Sequence, residues 1–312
     1  MDSLSILDAA FLSTWLAAAI RLAGPVLLAA LGEVFAERSG VLNIGIEGLL
    51  LIGALAAYLA CGLSGSSWLG VFAAIVSGWL ASLLLSWLYV TVQASQVVVG
   101  IVFNLLALGA CSLVFRTTGE VTGGQSVAMF PALQIPGLSE LPWVGPALFG
   151  QPVLLYVTLL LVLVASMVLQ RSRFGLSLRA VGENPRAADA AGISVKRMRH
   201  AGVWISGGAA GMAGAYLMLC EVGVYRDSIV SGQGFIALAI VILGRWTPWK
   251  VMLAALVFGL ADALQLSLQL LGWGLPPQLL LALPYALTLL AISGMFGGKS
   301  VQPAALLMPH QR

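Results

Sequence analysis

Charge is scarce in this sequence. Asp, Glu, Lys and Arg make up 9% of the 312 residues and hydrophobic types 60%, whereas a soluble domain carries roughly 25% charged residues. So few charges cannot clothe a water-facing surface. The formal net charge of +3 is too small for nucleic-acid binding, and no nucleic acid is expected as a partner. Cys61, Cys111 and Cys220 lie far apart inside apolar runs, without metal-ligand spacing, and read as packing residues. The histidines His200 and His310 are isolated, and no HExxH or GxSxG occurs, so the chain lacks a catalytic set. No metal or other cofactor is expected on it. A basic start is missing too: Asp2 and Asp8 precede the first apolar run and the first basic residue is Arg21, which is wrong for a secretory signal. The first helix is expected to be retained. Gly297, Gly298, Lys299 and Ser300 end like a phosphate-binding loop, but the first glycine of that pattern would fall at Ser293. The run also follows an apolar helix rather than a strand, so this chain is not expected to bind ATP.

What the sequence does have is a succession of apolar runs near the roughly 20 residues that cross a bilayer. They fall at 11–31, 41–63, 68–92, 97–115, 152–169, 201–220, 229–243, 251–271 and 276–296. The run 229–243 is short for a crossing and reads as a tilted or partial span. The expected fold is all-α: a single transmembrane permease-like domain over 1–312, a polytopic helical bundle of about 8–9 segments with broken or re-entrant stretches. Its first half is 11–115, an outer loop rich in Gly and Pro follows at 116–151, and the second half is 152–296, with a tail at 297–312.

Seven of the fifteen basic residues, Arg171, Arg173, Arg179, Arg186, Lys196, Arg197 and Arg199, cluster in the loop 170–199, against only Glu183 and Asp189. Such a bias places that loop in the cytoplasm. Counting crossings puts Arg245 and Lys250 on the same side, provided that the short run 229–243 still takes the chain across.

Each half carries one glycine-interrupted stretch, 32–48 and 223–234. Paired interruptions at corresponding places in a transporter point to the solute site, because broken backbone is tolerated at membrane depth only where it is buried in protein or lines a cavity. In the first stretch Glu33, Glu37 and Arg38 read as a short turn between helices. Asn43 and Glu47 differ, being four apart on one helical face inside an apolar run. An ionisable group there costs about 2.5–3.5 kcal/mol on insertion scales and marks a functional site by default. Asn104 sits in the fourth run, and Asp262, Gln265 and Gln269 form a stripe in the eighth. Asn43, Glu47, Asn104, Asp262 and Gln265 are the candidate pathway residues, each with an interhelical hydrogen bond as the alternative. Gly207, Gly211 and Ala215 form a small-residue face assigned to helix packing.

Inside the basic loop, Asn184, Pro185, Arg186, Ala187, Ala188, Asp189, Ala190, Ala191 and Gly192 read as a complete short helix. Asn184 is a good N-cap, Pro185 suits the first turn, and Gly192 can take the left-handed terminating position. A helix this short is marginal alone and gains stability by docking.

Three stretches resemble, in order and spacing, the permeases for nucleosides and simple sugars in the branched-chain amino acid and ribose group of ABC importers. They are 32–48, the loop from Phe174 to Lys196, and the run from Gly232 through Phe235 to Gly244. The resemblance covers most of the chain. It implies a type II ABC importer-like permease, a multi-pass protein of the bacterial inner membrane that moves a small polar solute, most simply a nucleoside, by alternating access. It also implies a separate ABC ATPase subunit under the loop and an extracytoplasmic solute-binding lipoprotein. Gly182, Glu183, Asn184, Pro185, Ala187, Ala188, Ala191 and Gly192 would then form the ATPase-coupling element. The longer ribose-type members have an extra N-terminal helix that is lacking here, and the shorter form resembles one of two permease subunits paired in nucleoside systems, so a heterodimer is expected. The rival reading is a self-sufficient secondary transporter or channel in which Glu47 or Asp262 carries protons.

Overall fold

The structure, a computed structural model, describes residues 9–122, 126–134, 145–270 and 302–308, with the single positions 278, 282 and 286. Apart from those three positions the expected segment 276–296 lies outside the described residues, as do Gly297 to Ser300 and parts of the outer loop and tail.

The elements are α1 Ala9–Arg38, α2 Ile46–Ser64, α3 Ser67–Ser86, α4 Gln96–Thr122, α5 Gly145–Phe149, α6 Val153–Arg171, α7 Arg173–Glu183, α8 Pro185–Ala190, α9 Val195–Tyr216, α10 Gln233–Leu243 and α11 Pro248–Leu270. Wider π-type turns extend α3 through Trp87–Thr91 and α9 through Leu217–Val222. In the outer loop β1 Ala132–Gln134 and β2 Gly150–Pro152 form a small antiparallel pair, with Leu133 opposite Gln151. Seven helices among the described residues are long and apolar enough to cross a membrane: Phe11–Arg38, Ile46–Ser64, Ser67–Thr91, Gln96–Thr118, Val153–Arg171, Val195–Val222 and Pro248–Gln269. They match the expected runs one to six and eight.

The expected short run proves to be a half-helix. At 11 residues and 1.5 Å per residue, α10 covers roughly half of the ~30 Å hydrocarbon core. The non-helical stretch 223–232 precedes it, and the chain beyond it lies beside the end of α1, where Arg38 Nε donates to the Trp246 carbonyl at 3.1 Å. Arg245 and Lys250 therefore stand at the same end as the basic loop, as the count of crossings requires.

Helix α9 is the centre of the bundle. Lipid tails are as apolar as Leu, so hydrophobicity cannot draw helices together inside a bilayer and close van der Waals packing must. A Cβ at Gly211 would overlap the Ala74 carbonyl of α3, one at Gly207 would overlap Ser82, and one at Gly214 would overlap the Leu50 carbonyl of α2. Gly78 and Gly53 answer from the facing helices, against Gly207 and Gly211 respectively. The small-residue face read from the sequence is thus the surface on which α2 and α3 seat, and Ala215 is fully buried beside it.

Candidate translocation site

The first backbone break separates α1 from α2. Gly40 ends α1 with φ +89°, and Val41 to Asn43 run outside any helix or strand before a turn leads into Ile46. Glu33 and Glu37 are not in a turn, as expected from the sequence, but inside α1 and 0% and 1% exposed. Their burial has a physical reason: non-helical backbone inside a bundle has amides that need acceptors. Glu33 Oε1 accepts the Asn43 N–H at 2.8 Å, and its Oε2 accepts the Ser206 hydroxyl of α9 at 2.7 Å. Asn43 Nδ2 donates to the same Ser206 oxygen at 3.0 Å. Gln96 Oε1 accepts the Leu42 N–H at 2.8 Å, and Asn104 Oδ1 accepts the Gly48 N–H at 2.9 Å while its Nδ2 donates to the Ile44 carbonyl at 2.9 Å. Asn43 thus belongs to the internal support of the break.

The second break, 223–232, runs between two left-handed glycines, Gly223 at φ +75° and Gly232 at φ +86°. Gly232 is the N-cap of α10 and has no side chain to satisfy the helix's first amides. Glu47 does it from α2: its Oε1 accepts the Gly232 N–H and its Oε2 the Gly234 N–H, each at 2.7 Å. Charge-assisted bonds to a helix N-terminus are among the stronger contacts a carboxylate makes. Only glycine fits at 234, where a Cβ would lie 2.7 Å from the Glu47 amide nitrogen and carboxylate. The two interruptions read from the sequence therefore meet at one side chain.

A cavity of about 250 Å³ opens at this junction. Glu47, Gly48, Asn104, Asp227, Ser231 and Phe235 form one part of its wall, and Leu51, Ile101, Leu105, Leu108 and Val230 the apolar remainder. Ile101, Leu105 and Leu108 lie on α4 and are 48%, 65% and 43% exposed, so the cavity opens along a bare helix face. Asp227 Oδ2 accepts the Ser112 hydroxyl at 3.0 Å. Of the five candidate pathway residues, Glu47 and Asn104 line this cavity. Asn43 does not, and neither do Asp262 and Gln265, whose helix α11 packs chiefly on α1. Asp227, Ser231 and Phe235 were not singled out in the sequence, although their stretch was; an Asp beside Arg226 in a glycine-bounded run between two apolar segments was the available signal.

The basic loop has the predicted capping. Asn184 Oδ1 accepts the Ala187 N–H at 3.0 Å, Pro185 opens the helix, and Gly192 takes φ +82°. Among the residues placed in the coupling element, Ala188 faces inward. It is 4% exposed and packs against Val181 and Val195 of the chain itself, whereas Arg186, Ala187, Ala190, Ala191 and Gly192 are exposed. A run of alanines has no apolar periodicity to orient it, and these two valines decide which one turns in. Behind α8, Gly182 lies so close to the Arg38 carbonyl that a Cβ would overlap it. Glu183 pairs with Arg38 at 3.7 Å, and the Gly182 carbonyl accepts the Ala305 N–H at 2.9 Å. Trp246 Nε1 donates to Glu37. The loop, the end of α1 and the turn after α10 thus form one contact cluster.

The profile of the family described as "Branched-chain amino acid transport system / permease component" matches residues 15–292. The chain belongs to this family. Over 300 residues this permease is 38% identical to the guanosine ABC transporter permease protein NupQ of Bacillus subtilis, covering 92% of this chain and 93% of the relative. It is 35% identical to the putative glucose ABC transporter permease protein TsgC13 of Haloferax volcanii, over 97% and 98% of the two chains. It is 36% identical to the nucleoside ABC transporter permease protein NupC of Lactococcus lactis subsp. cremoris, over 90% and 91%. No solved structure matches it.

Proposed function

We propose that this permease is the membrane subunit of an ATP-binding-cassette importer for a nucleoside, working with a second, different permease subunit, a separate ATPase and an external binding protein. The observation that carries the reading is the placement of α10. One end of this rigid half-helix is held by the Glu47 carboxylate at the cavity. Its other end runs into Trp246, which touches Glu37 and Arg38, and Arg38 touches Glu183 of the basic loop. A push on the loop reaches the cavity through this strut, which is what alternating access driven from outside the membrane needs. A secondary transporter has no use for the loop contact.

The solute class and the pairing draw support from the relatives. Two of the three named above are nucleoside or guanosine permeases, and one is a putative glucose permease, which makes a simple sugar the second reading. A differently named permease from each of the same organisms is also similar, at 30%, 29% and 24% identity: NupP, TsgB13 and NupB. The cavity is smaller than the roughly 300–1,000 Å³ of ligand pockets, and its open side along α4 is where a second subunit would close it. The deciding experiment reconstitutes the four components in proteoliposomes and follows labelled guanosine and glucose. Uptake of guanosine that requires ATP is expected; uptake of glucose alone, or uptake without ATP, overturns the assignment.

Two narrower predictions follow from the basic loop. It is assigned to the cytoplasm by its charge, so Ser194→Cys, at an exposed position, should resist an impermeant thiol reagent in intact cells and react in lysed ones. Cys61, Cys111 and Cys220 are buried and give little background. Ready labelling in intact cells inverts the topology.

The coupling face of α8 is the exposed one. Ala187→Trp should leave the permease folded, with ATPase co-purification and transport lost together by about tenfold or more, the effect of obstructing a contact worth at least ~1.4 kcal/mol. Ala188→Trp should fail differently, by expelling Val181 and Val195 and destabilising the loop by about 1–3 kcal/mol. An Ala187→Trp permease that binds the ATPase and imports normally removes α8 from the coupling contact.

A further inference from the structure

The cavity's remaining hydrogen-bonding capacity has one sign. Glu47 accepts the Gly232 and Gly234 amides, with the Phe235 amide bearing on it as well, and a carboxylate offers about four lone-pair sites. Asp227 accepts one hydroxyl, from Ser112, and likewise has sites left. The Asn104 oxygen is engaged by Gly48 and its amide by Ile44. With the Ser231 hydroxyl donating to the Ser228 carbonyl, what faces the cavity is acceptor capacity, most of it on two carboxylates, set among apolar walls. Beside them Phe235, in the first turn of α10, keeps 48% of its surface exposed.

Resting on the nucleoside reading, we infer that this cavity is a solute-selecting subsite in which the Glu47 and Asp227 carboxylates accept the hydroxyls of a sugar ring while the Phe235 ring stacks on the attached base. Two carboxylates seek donors, and a sugar diol presents two of them side by side. They also repel phosphate, so the subsite admits the nucleoside and rejects its 5′-phosphate. An aromatic face discriminates little among bases, because every base has a π-face to stack. Selection at this point thus reads the sugar closely and the base loosely.

The test compares uptake of a ribonucleoside with that of its 2′,3′-dideoxy analogue by the complete transporter in proteoliposomes, for the wild type, Asp227→Asn, Phe235→Leu and Phe235→Trp. The binding protein is the same in every preparation, so its own preference cancels when ratios are compared across variants. A ratio is also independent of how much folded transporter each preparation contains. The wild type should favour the ribonucleoside, and Asp227→Asn should lower that preference about tenfold, the factor of one contact of ~1.4 kcal/mol. Phe235→Leu should lower uptake of both nucleosides relative to ATP hydrolysed, and Phe235→Trp should restore it. If the wild type imports no nucleoside, the functional reading itself fails. If it imports nucleosides while Asp227→Asn keeps the wild-type ratio within about twofold, or Phe235→Leu matches the wild type per ATP, the subsite is wrong and the importer stands.

Discussion

Gly211→Leu is expected to leave almost no folded permease in the membrane. The Cβ alone would overlap the Ala74 carbonyl and come within 3.2 Å of the Gly78 Cα, so the obstruction is backbone, which cannot rotate away as a side chain can. Relief requires α3 and α9 to separate, and the same movement breaks the contact of Gly207 with Ser82 and Gly78 on the same helix pair. Overpacking costs about 1–3 kcal/mol at an ordinary core site; with the whole seam opened the loss should exceed that range. The control is a neighbouring position on the same helix. At Gly208 the nearest atom to an added Cβ is the Ile75 Cγ2 at 3.8 Å, so Gly208→Ala should fold normally, with the gain of up to ~1 kcal/mol that alanine brings over glycine in a helix. Thermal unfolding in detergent measures both. Equal stability of Gly211→Leu and Gly208→Ala would mean that α9 does not pack in this register.

This seam was legible in the sequence because small residues four apart have few other uses inside a membrane. The two backbone breaks were legible for the same kind of reason, since glycines interrupting an apolar run leave amides that something must satisfy. What the sequence does not contain is who satisfies them. Glu33 finds Ser206 across 173 positions, and Glu37 finds Trp246 across 209. Without those partners, carboxylates between two apolar runs look like a solvated turn. The stripe of Asp262 and Gln265 shows the opposite limit. Spacing of i and i+3 puts both on one side of a helix, but it is silent on what that side meets, and α11 meets α1 rather than the cavity. In the loop, caps at Asn184 and Gly192 were readable because each is a local act of one residue on its neighbours, whereas the inward turn of Ala188 depends on Val181 and Val195 beyond the helix.

Glu47→Ala should nearly abolish transport while leaving the permease in the membrane and bound to its ATPase. The substitution removes the acceptor of the Gly232 and Gly234 amides at the start of α10. An unsatisfied buried donor costs about 1–3 kcal/mol, and two of them put roughly 2–6 kcal/mol against the present seat of the half-helix, enough to depopulate it by about 30-fold or more. The seams between α9 and its neighbours do not involve Glu47, so insertion and abundance should hold. The exposed face of α8 is also intact, and the ATPase should still co-purify. Glu47→Gln separates the two duties of the carboxylate. Its amide oxygen can still accept one N–H, but its amide nitrogen is a donor turned toward a second donor, so import should fall between wild type and Glu47→Ala. Uptake by the reconstituted complex gives the order. Amide hydrogen exchange at Gly234 gives the cause, and protection there should fall in parallel with uptake. Glu47→Ala at normal abundance with undiminished uptake would show that α10 is held by its packing alone, and the strut would then have to be anchored elsewhere in the path from Arg38 to the cavity.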